Sequence, residues 1–94
     1  MKISIIVPAY NEELQLYENL TKIKNSFDFN SFYDYEIIVC DNNSSDQTSI
    51  IAREFGARVI FEPFNQIGKA RNKGASIATG EWLVFIDADS WPSK

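Results

Sequence analysis

Histidine is absent from the 94-residue chain, and cysteine occurs once, at Cys40. Those absences exclude an internal disulfide framework and a Ser-His or Cys-His catalytic pair, and they make zinc improbable. A metal bound here must sit on oxygen ligands, the donor set of Mg²⁺, Mn²⁺ or Ca²⁺. Cys40 closes an apolar run and reads as a small buried side chain rather than a nucleophile. Basic residues are outnumbered, 9 against 13 acidic, for a net charge of -4. That balance argues against nucleic acid as a partner. Long hydrophobic runs are missing too. The apolar stretch from Ile3 meets Pro8 and the polar Asn11 too soon for a signal-peptide core or a membrane span, so the expected address is the cytoplasm. The sequons at Asn42 and Asn43 then read as turn residues. With 4 Gly and 3 Pro, 45% hydrophobic and 23% charged residues, the composition is that of one small globular domain.

What is present alternates in period. Ile3 to Ala9 is a continuous apolar run, as in a strand buried on both faces. From Asn11 to Phe27, Leu16, Leu20, Ile23 and Phe27 fall on one helical face, and 28–34 reads as a loop. Tyr35 to Cys40 is a second buried strand. DNNSSDQT follows, with Ser44 and Gln47 spaced as a capping box, then a helix carrying Ile50, Ile51 and Phe55 that stops at Gly56. Ala57 to Glu62 is a third strand. Residues 67–79 form a helix with Ala70, Gly74 and Ala78 on its inner face, and Glu81 to Ile86 is the fourth strand. The order β-α-β-α-β-α-β predicts an α/β fold, an open parallel sheet with helices on both faces and right-handed crossovers.

In such sheets ligands bind beyond the carboxyl ends of the strands. The four strands are followed there by Tyr10, Asn11, Glu12 and Glu13; by Asp41, Asn42 and Asn43; by Asn65 and Gln66; and by Asp87 and Asp89. Acids and amides thus gather at one edge. Asp87 and Asp89 leave the last strand in D-x-D spacing, which points both side chains the same way. Two such carboxylates repel unless a proton or cation lies between them, and a divalent metal resolves the repulsion.

SIIVPAYNEE, then EIIVCDNNSSDQT, then NQIGKARNKGASIATGEWLVFIDADS resembles, in order and separation, the amino-terminal half of family 2 glycosyltransferases of the GT-A fold, from about Lys2 to Asp89. The resemblance implies inverting transfer of a sugar from a nucleoside diphosphate sugar, UDP-sugar favoured, to a glycan, lipid or protein acceptor. It implies that Pro8, Ala9 and Tyr10 lie along the nucleoside with Glu12 at the acidic end, and that Asp41 accepts a hydrogen bond from the base. Gly68, Lys69, Arg71 and Asn72 resemble the family's Ala-Arg-Asn-x-Gly loop beside the nucleotide. Asp89 would coordinate a divalent metal, Mn²⁺ or Mg²⁺, with Asp87 on the ribose or sharing the metal. Three features depart from the common pattern: Ser90 in place of a third acid, Asn42-Asn43 in place of Asp-Gly, and a slightly short segment from Asn65 to Arg71. They bear on the donor sugar more than on the nucleotide.

The family's general base is a carboxylate well downstream of D-x-D, so the expectation is that it lies beyond Lys94. Residues 1–94 then read as one nucleotide-sugar-binding subdomain of a longer transferase, inactive alone. In that fold the fourth strand lies beside the first, and residues 81–86 would offer an exposed apolar edge for self-association. The competing reading is a non-catalytic nucleotide- or partner-binding module of the same fold. A P-loop is excluded because Gly68-Lys69 lacks the first glycine and the hydroxyl residue. A dinucleotide fingerprint is excluded because AYNEE follows the first strand.

Overall fold

The computed structural model describes residues 2–29 and 34–87. Four strands and three helices alternate: β1 (Lys2–Ala9), α1 (Leu16–Phe29), β2 (Asp34–Asp41), α2 (Thr48–Phe55), β3 (Arg58–Phe61), α3 (Ile67–Ser76) and β4 (Trp82–Phe85). The sheet order is β3-β2-β1-β4 and every pairing is parallel. The α/β reading and the placement of the fourth strand beside the first are both borne out.

Side-chain parity divides the sheet into two faces. Ile5, Val7 and Ala9 of β1 and Ile37 and Val39 of β2 share one core cluster with Leu16, Leu20 and Ile23 of α1 and Ala52 of α2. Ile6, Ile38 and Cys40 have the opposite parity, and α3 packs on that side against β1 and β2. A methyl group at Gly74 of α3 would lie 2.6 Å from Ile6 Cγ2. The absent side chain is what lets this helix approach so closely. Gly56 ends α2 at φ 104° with its N–H on the Arg53 carbonyl, the left-handed cap expected there.

Three local expectations change. The first helix begins at Leu16, not Asn11, because the residues ahead of it are hydrogen-bonded to the β2–α2 loop. Asn11 N–H donates to Ser44 Oγ and Ser45 N–H to Asn11 Oδ1, while Asn11 itself takes φ 50°. Glu12 N–H donates to Thr48 Oγ1, Glu13 N–H to Asp46, and Gln47 N–H to Glu13 Oε1. The Ser44–Gln47 capping box therefore does not form, since Ser44 serves Asn11. Helix α2 starts after Gln47, whose side chain makes no cap, and the Asp46 carboxylate receives Thr48 N–H instead. Helix α3 ends at Ser76, so Ala78 lies past it. The residues beyond are drawn to the opposite sheet edge, where Arg58 holds the Ile77 carbonyl and Thr79 donates twice to Glu36.

Glu36 anchors that edge. Ser4 Oγ donates to it at 2.6 Å and Arg58 at 2.9 Å. Burial alone would raise its pKa, but the bonds from Ser4, Thr79 and Arg58 outweigh burial and hold the carboxyl at about 2.

Candidate functional site

The strand ends converge as the topological rule requires. A cavity of about 320 Å³ opens there, lined by Pro8 and Ala9 at the end of β1, by Tyr10 and Glu12 just after it, and by Asp87 after β4. All five come from the expected set. Asn42, Asn65 and Ala70 complete the lining. Pro8, Asn42 and Asp87 have the parity of Ile6, Ile38 and Phe85 in the paired strands, which puts the cavity at the α3 side of the sheet edge.

Two neighbours at the end of β2 take different roles. Asp41 is buried, and its Oδ1 accepts the Ser44 N–H at 2.9 Å, closing the turn ahead of α2. It does not line the cavity. Asn42, only 6% exposed, does. Its backbone N–H donates to the Ala9 carbonyl at 2.8 Å, its carbonyl receives Asn65 Nδ2 at 2.6 Å, and its own Nδ2 donates to the Phe64 carbonyl at 3.1 Å. That last bond fixes the amide orientation, since a flipped oxygen would face another oxygen. Asn42 Oδ1 is then left buried and without a partner.

From α3, Arg71 reaches the site through Asp87. Its Nη2 donates to both carboxylate oxygens, at 3.2 and 3.3 Å, and its Nε is buried and unpartnered. Asn42 Oδ1 and Arg71 Nε are the only two such side-chain atoms among the described residues. One is an acceptor on a residue that lines the cavity, the other a donor on a residue joined to the cavity through Asp87. Buried polar atoms are nearly always paired, so the orphan acceptor of cavity-lining Asn42 asks for a ligand.

Other expected residues lie elsewhere. Lys69 and Asn72 line a separate hollow with Glu62 and Phe64, and Lys69 Nζ stands 5.3 Å from the Phe64 ring centre. Gly68 is exposed and lines neither hollow. Asp89 falls outside the described residues. Cys40 is buried, and burial together with the charges of Glu62 and Asp41 pushes its thiol up to about 11, so it stays protonated and inert.

Among the described residues no three acid, Cys or His side chains gather closely enough to cage a metal ion. The donor chemistry still fits a hard cation, because Glu12 and Asp87 both present carboxylates to the cavity. Sequence reasoning set Asn42 and Asn65 at the binding edge without choosing them as site residues, and it gave Ala70 only to the packing face of its helix. The strand-end rule pointed at the first two, and strand parity separates Asn42 from Asp41.

Residues 4–94 match the family model described as Glycosyl transferase family 2. Glycosyltransferase AglE of Haloferax volcanii is 35% identical over 100 residues, covering 98% of this chain and 32% of that protein. The poly(ribitol-phosphate) beta-N-acetylglucosaminyltransferase TarS of Staphylococcus aureus is 33% identical over 103 residues, covering the whole chain and 17% of TarS. Among solved structures, glucosyl-3-phosphoglycerate synthase of Mycobacterium tuberculosis, in complex with Mn²⁺, UDP and glucosyl-3-phosphoglycerate, superposes with TM-score 0.79 at 32% identity. That match covers 94% of this chain and 33% of the synthase. The chain thus spans about a third or less of the length of these relatives.

Proposed function

Because the chain belongs to glycosyl transferase family 2, we propose that it is the donor-binding part of a glycosyltransferase, taking a nucleoside diphosphate sugar in the cavity at the strand ends. The observation that carries this reading is the buried orphan acceptor of Asn42 at that cavity, with the Arg71 donor tied to it through Asp87. A base ring bearing an N–H answers the first and an anionic group answers the second.

In this reading the base contact expected of Asp41 passes to Asn42, because Asn42 lines the cavity and Asp41 does not. Uracil, with its N3–H, suits the Asn42 carbonyl. The synthase bound to UDP and Mn²⁺ supports the same choice by likeness. Tyr10, half exposed at the cavity mouth, offers a ring face to the nucleoside. Glu12 and Asp87 flank the ribose and diphosphate. A divalent cation held by Asp87 together with Asp89 would neutralise the charge developing on the departing nucleoside diphosphate. The chain's own residues orient the donor: Asn42 sets the base, and Arg71 sets the Asp87 carboxylate. Inversion at the sugar carbon is part of this reading, and no residue of the chain is assigned as the base that deprotonates the acceptor.

Calorimetric titration with UDP, GDP and dTDP, each with and without Mn²⁺, tests it. Metal-dependent binding of UDP, weakened about tenfold by Asn42→Leu in line with loss of one buried hydrogen bond, is the expected result. A folded chain that binds none of the three refutes the reading and favours a module without nucleotide.

A further inference from the structure

We infer that the hollow between α3 and the segment after β3 is a second binding site, built for a small phosphate ester that also carries hydroxyl groups. The site is separate from the donor cavity and holds whether or not that cavity takes a nucleotide. The hollow measures about 460 Å³ and includes Glu62, Phe64, Lys69, Asn72, Lys73 and Ser76 in its lining. The four helical residues follow the i, i+3, i+4, i+7 spacing of one helix face, while Ala70 and Gly74 are buried toward the sheet.

Charge on that face breaks two local rules. Lys69 stands in the first turn of α3, where the helix dipole disfavours a cation and no acid offsets it. Lys73, four residues on, places a like charge beside it. Elsewhere Lys22, Lys24, Arg58 and Arg71 each pair with a carboxylate. Lys69 and Lys73 pair with none among the described residues. Lys69 rests instead over the Phe64 ring, 5.3 Å from its centre. Local preferences are violated in this way mainly where function requires it. An anion between the two ammonium groups supplies the missing partner.

The lining asks for more than a bare anion. Glu62 is only 6% exposed, yet it makes no ion pair among the described residues and accepts one hydrogen bond, from the Phe64 N–H at 3.0 Å. A buried carboxylate with spare lone pairs calls for donors. Ser76 Oγ gives its proton to the Lys73 carbonyl at 2.6 Å, so it too offers acceptor lone pairs. A phosphate on the ammonium groups and hydroxyls on Glu62 and Ser76 satisfy both sets, with the exposed Phe64 ring as an apolar floor. A membrane headgroup fits less well, because the chain is acidic overall and a carboxylate shares the hollow.

The test is a two-dimensional NMR titration with glycerol 3-phosphate, inorganic phosphate and glycerol. It compares the wild-type chain, Lys69→Gln/Lys73→Gln and Glu62→Gln, with circular dichroism to check folding. A parallel arm measures cosedimentation with phosphatidylcholine vesicles, with and without phosphatidylglycerol. The site predicts saturable shifts at the amides of Phe64, Lys69, Asn72 and Lys73 with glycerol 3-phosphate, and none with glycerol. Affinity should fall about tenfold in the double lysine variant, as for loss of charge-assisted bonds. Glu62→Gln should remove most of the preference for the ester over inorganic phosphate; should that variant not fold, the lysine variant on its exposed face decides. Shifts that do not saturate, that gather around Ala9 and Asn42, or that persist in the lysine variant overturn the inference. Equal wild-type affinity for ester and inorganic phosphate overturns it too, since Glu62 then meets no hydroxyl. So does binding to phosphatidylglycerol vesicles alone, which would make this face a membrane contact.

Discussion

Asn42 and Asp41 are adjacent, both polar, both at the end of β2, and they do different work because a strand turns successive side chains to opposite faces. Asp41 looks toward the α1–α2 side and closes a turn, while Asn42 looks toward α3 and the cavity. The sequence marked the strand end but favoured the carboxylate. Choosing between the two needed the knowledge of which face α3 covers, and that depends on packing tens of residues away. The same scale holds a clear electrostatic prediction at the opposite edge. The Glu36 carboxyl sits at about 2, below its ordinary 4.5. A depressed acid stabilises the fold above its unfolded pKa and loses that contribution as pH falls toward the folded one. Urea unfolding should therefore show stability declining from about pH 4.5 to pH 2, with a shallower decline in Glu36→Gln. At neutral pH that variant should lose about 1–3 kcal/mol, the cost of weakening a carboxylate's bonds to Ser4, Arg58 and Thr79. Equal acid slopes for the two proteins would show that Glu36 is not the group responsible.

At the scale of elements, strands and helices were legible because the short continuous apolar runs of the buried strands contrast with the 3.6-residue spacing of the helices. Their ends were less so. The start of α1 is set by bonds from Asn11, Glu12 and Glu13 to a loop more than thirty residues on, which no local pattern carries. The capping box failed for the same reason, since the Ser44 hydroxyl was claimed by that distant partner. Helix α3 was correctly given a close approach to the sheet. Gly74→Ala tests that contact: the added methyl meets Ile6, a β-branched side chain with no exposed surface. Overpacking of this kind costs about 1–3 kcal/mol, which exceeds the gain of up to about 1 kcal/mol in helix propensity. Thermal denaturation should show a net loss, and a rise in melting temperature would mean α3 stands farther from β1 than described.

For the whole molecule, what matters is how the layers meet at the two open borders. At one border β4 pairs only with β1 among the described strands, and Trp82, Leu83 and Phe85 are 58%, 44% and 46% exposed. An apolar strand with an unpaired edge is a template for another chain. The isolated chain is expected to self-associate with rising concentration in sedimentation velocity, and Leu83→Lys to restore the monomer; concentration-independent sedimentation of the parent chain would contradict this. At the other border, the carboxyl ends of four parallel strands bring residues 8, 42 and 87 to one cavity although the chain separates them widely. That convergence followed from topology, and so was legible; the Arg71–Asp87 pairing and the Asn42 orphan acceptor needed side-chain placement. The most direct test of the central claim is a two-dimensional NMR titration of the chain with UDP and Mg²⁺. Saturable shifts at the amides of Ala9, Tyr10, Asn42, Asn65, Ala70 and Asp87 are the predicted result. Shifts confined to the hollow at the opposite edge, near Tyr35 and Arg58, or no saturable shifts in a folded chain, would contradict the account.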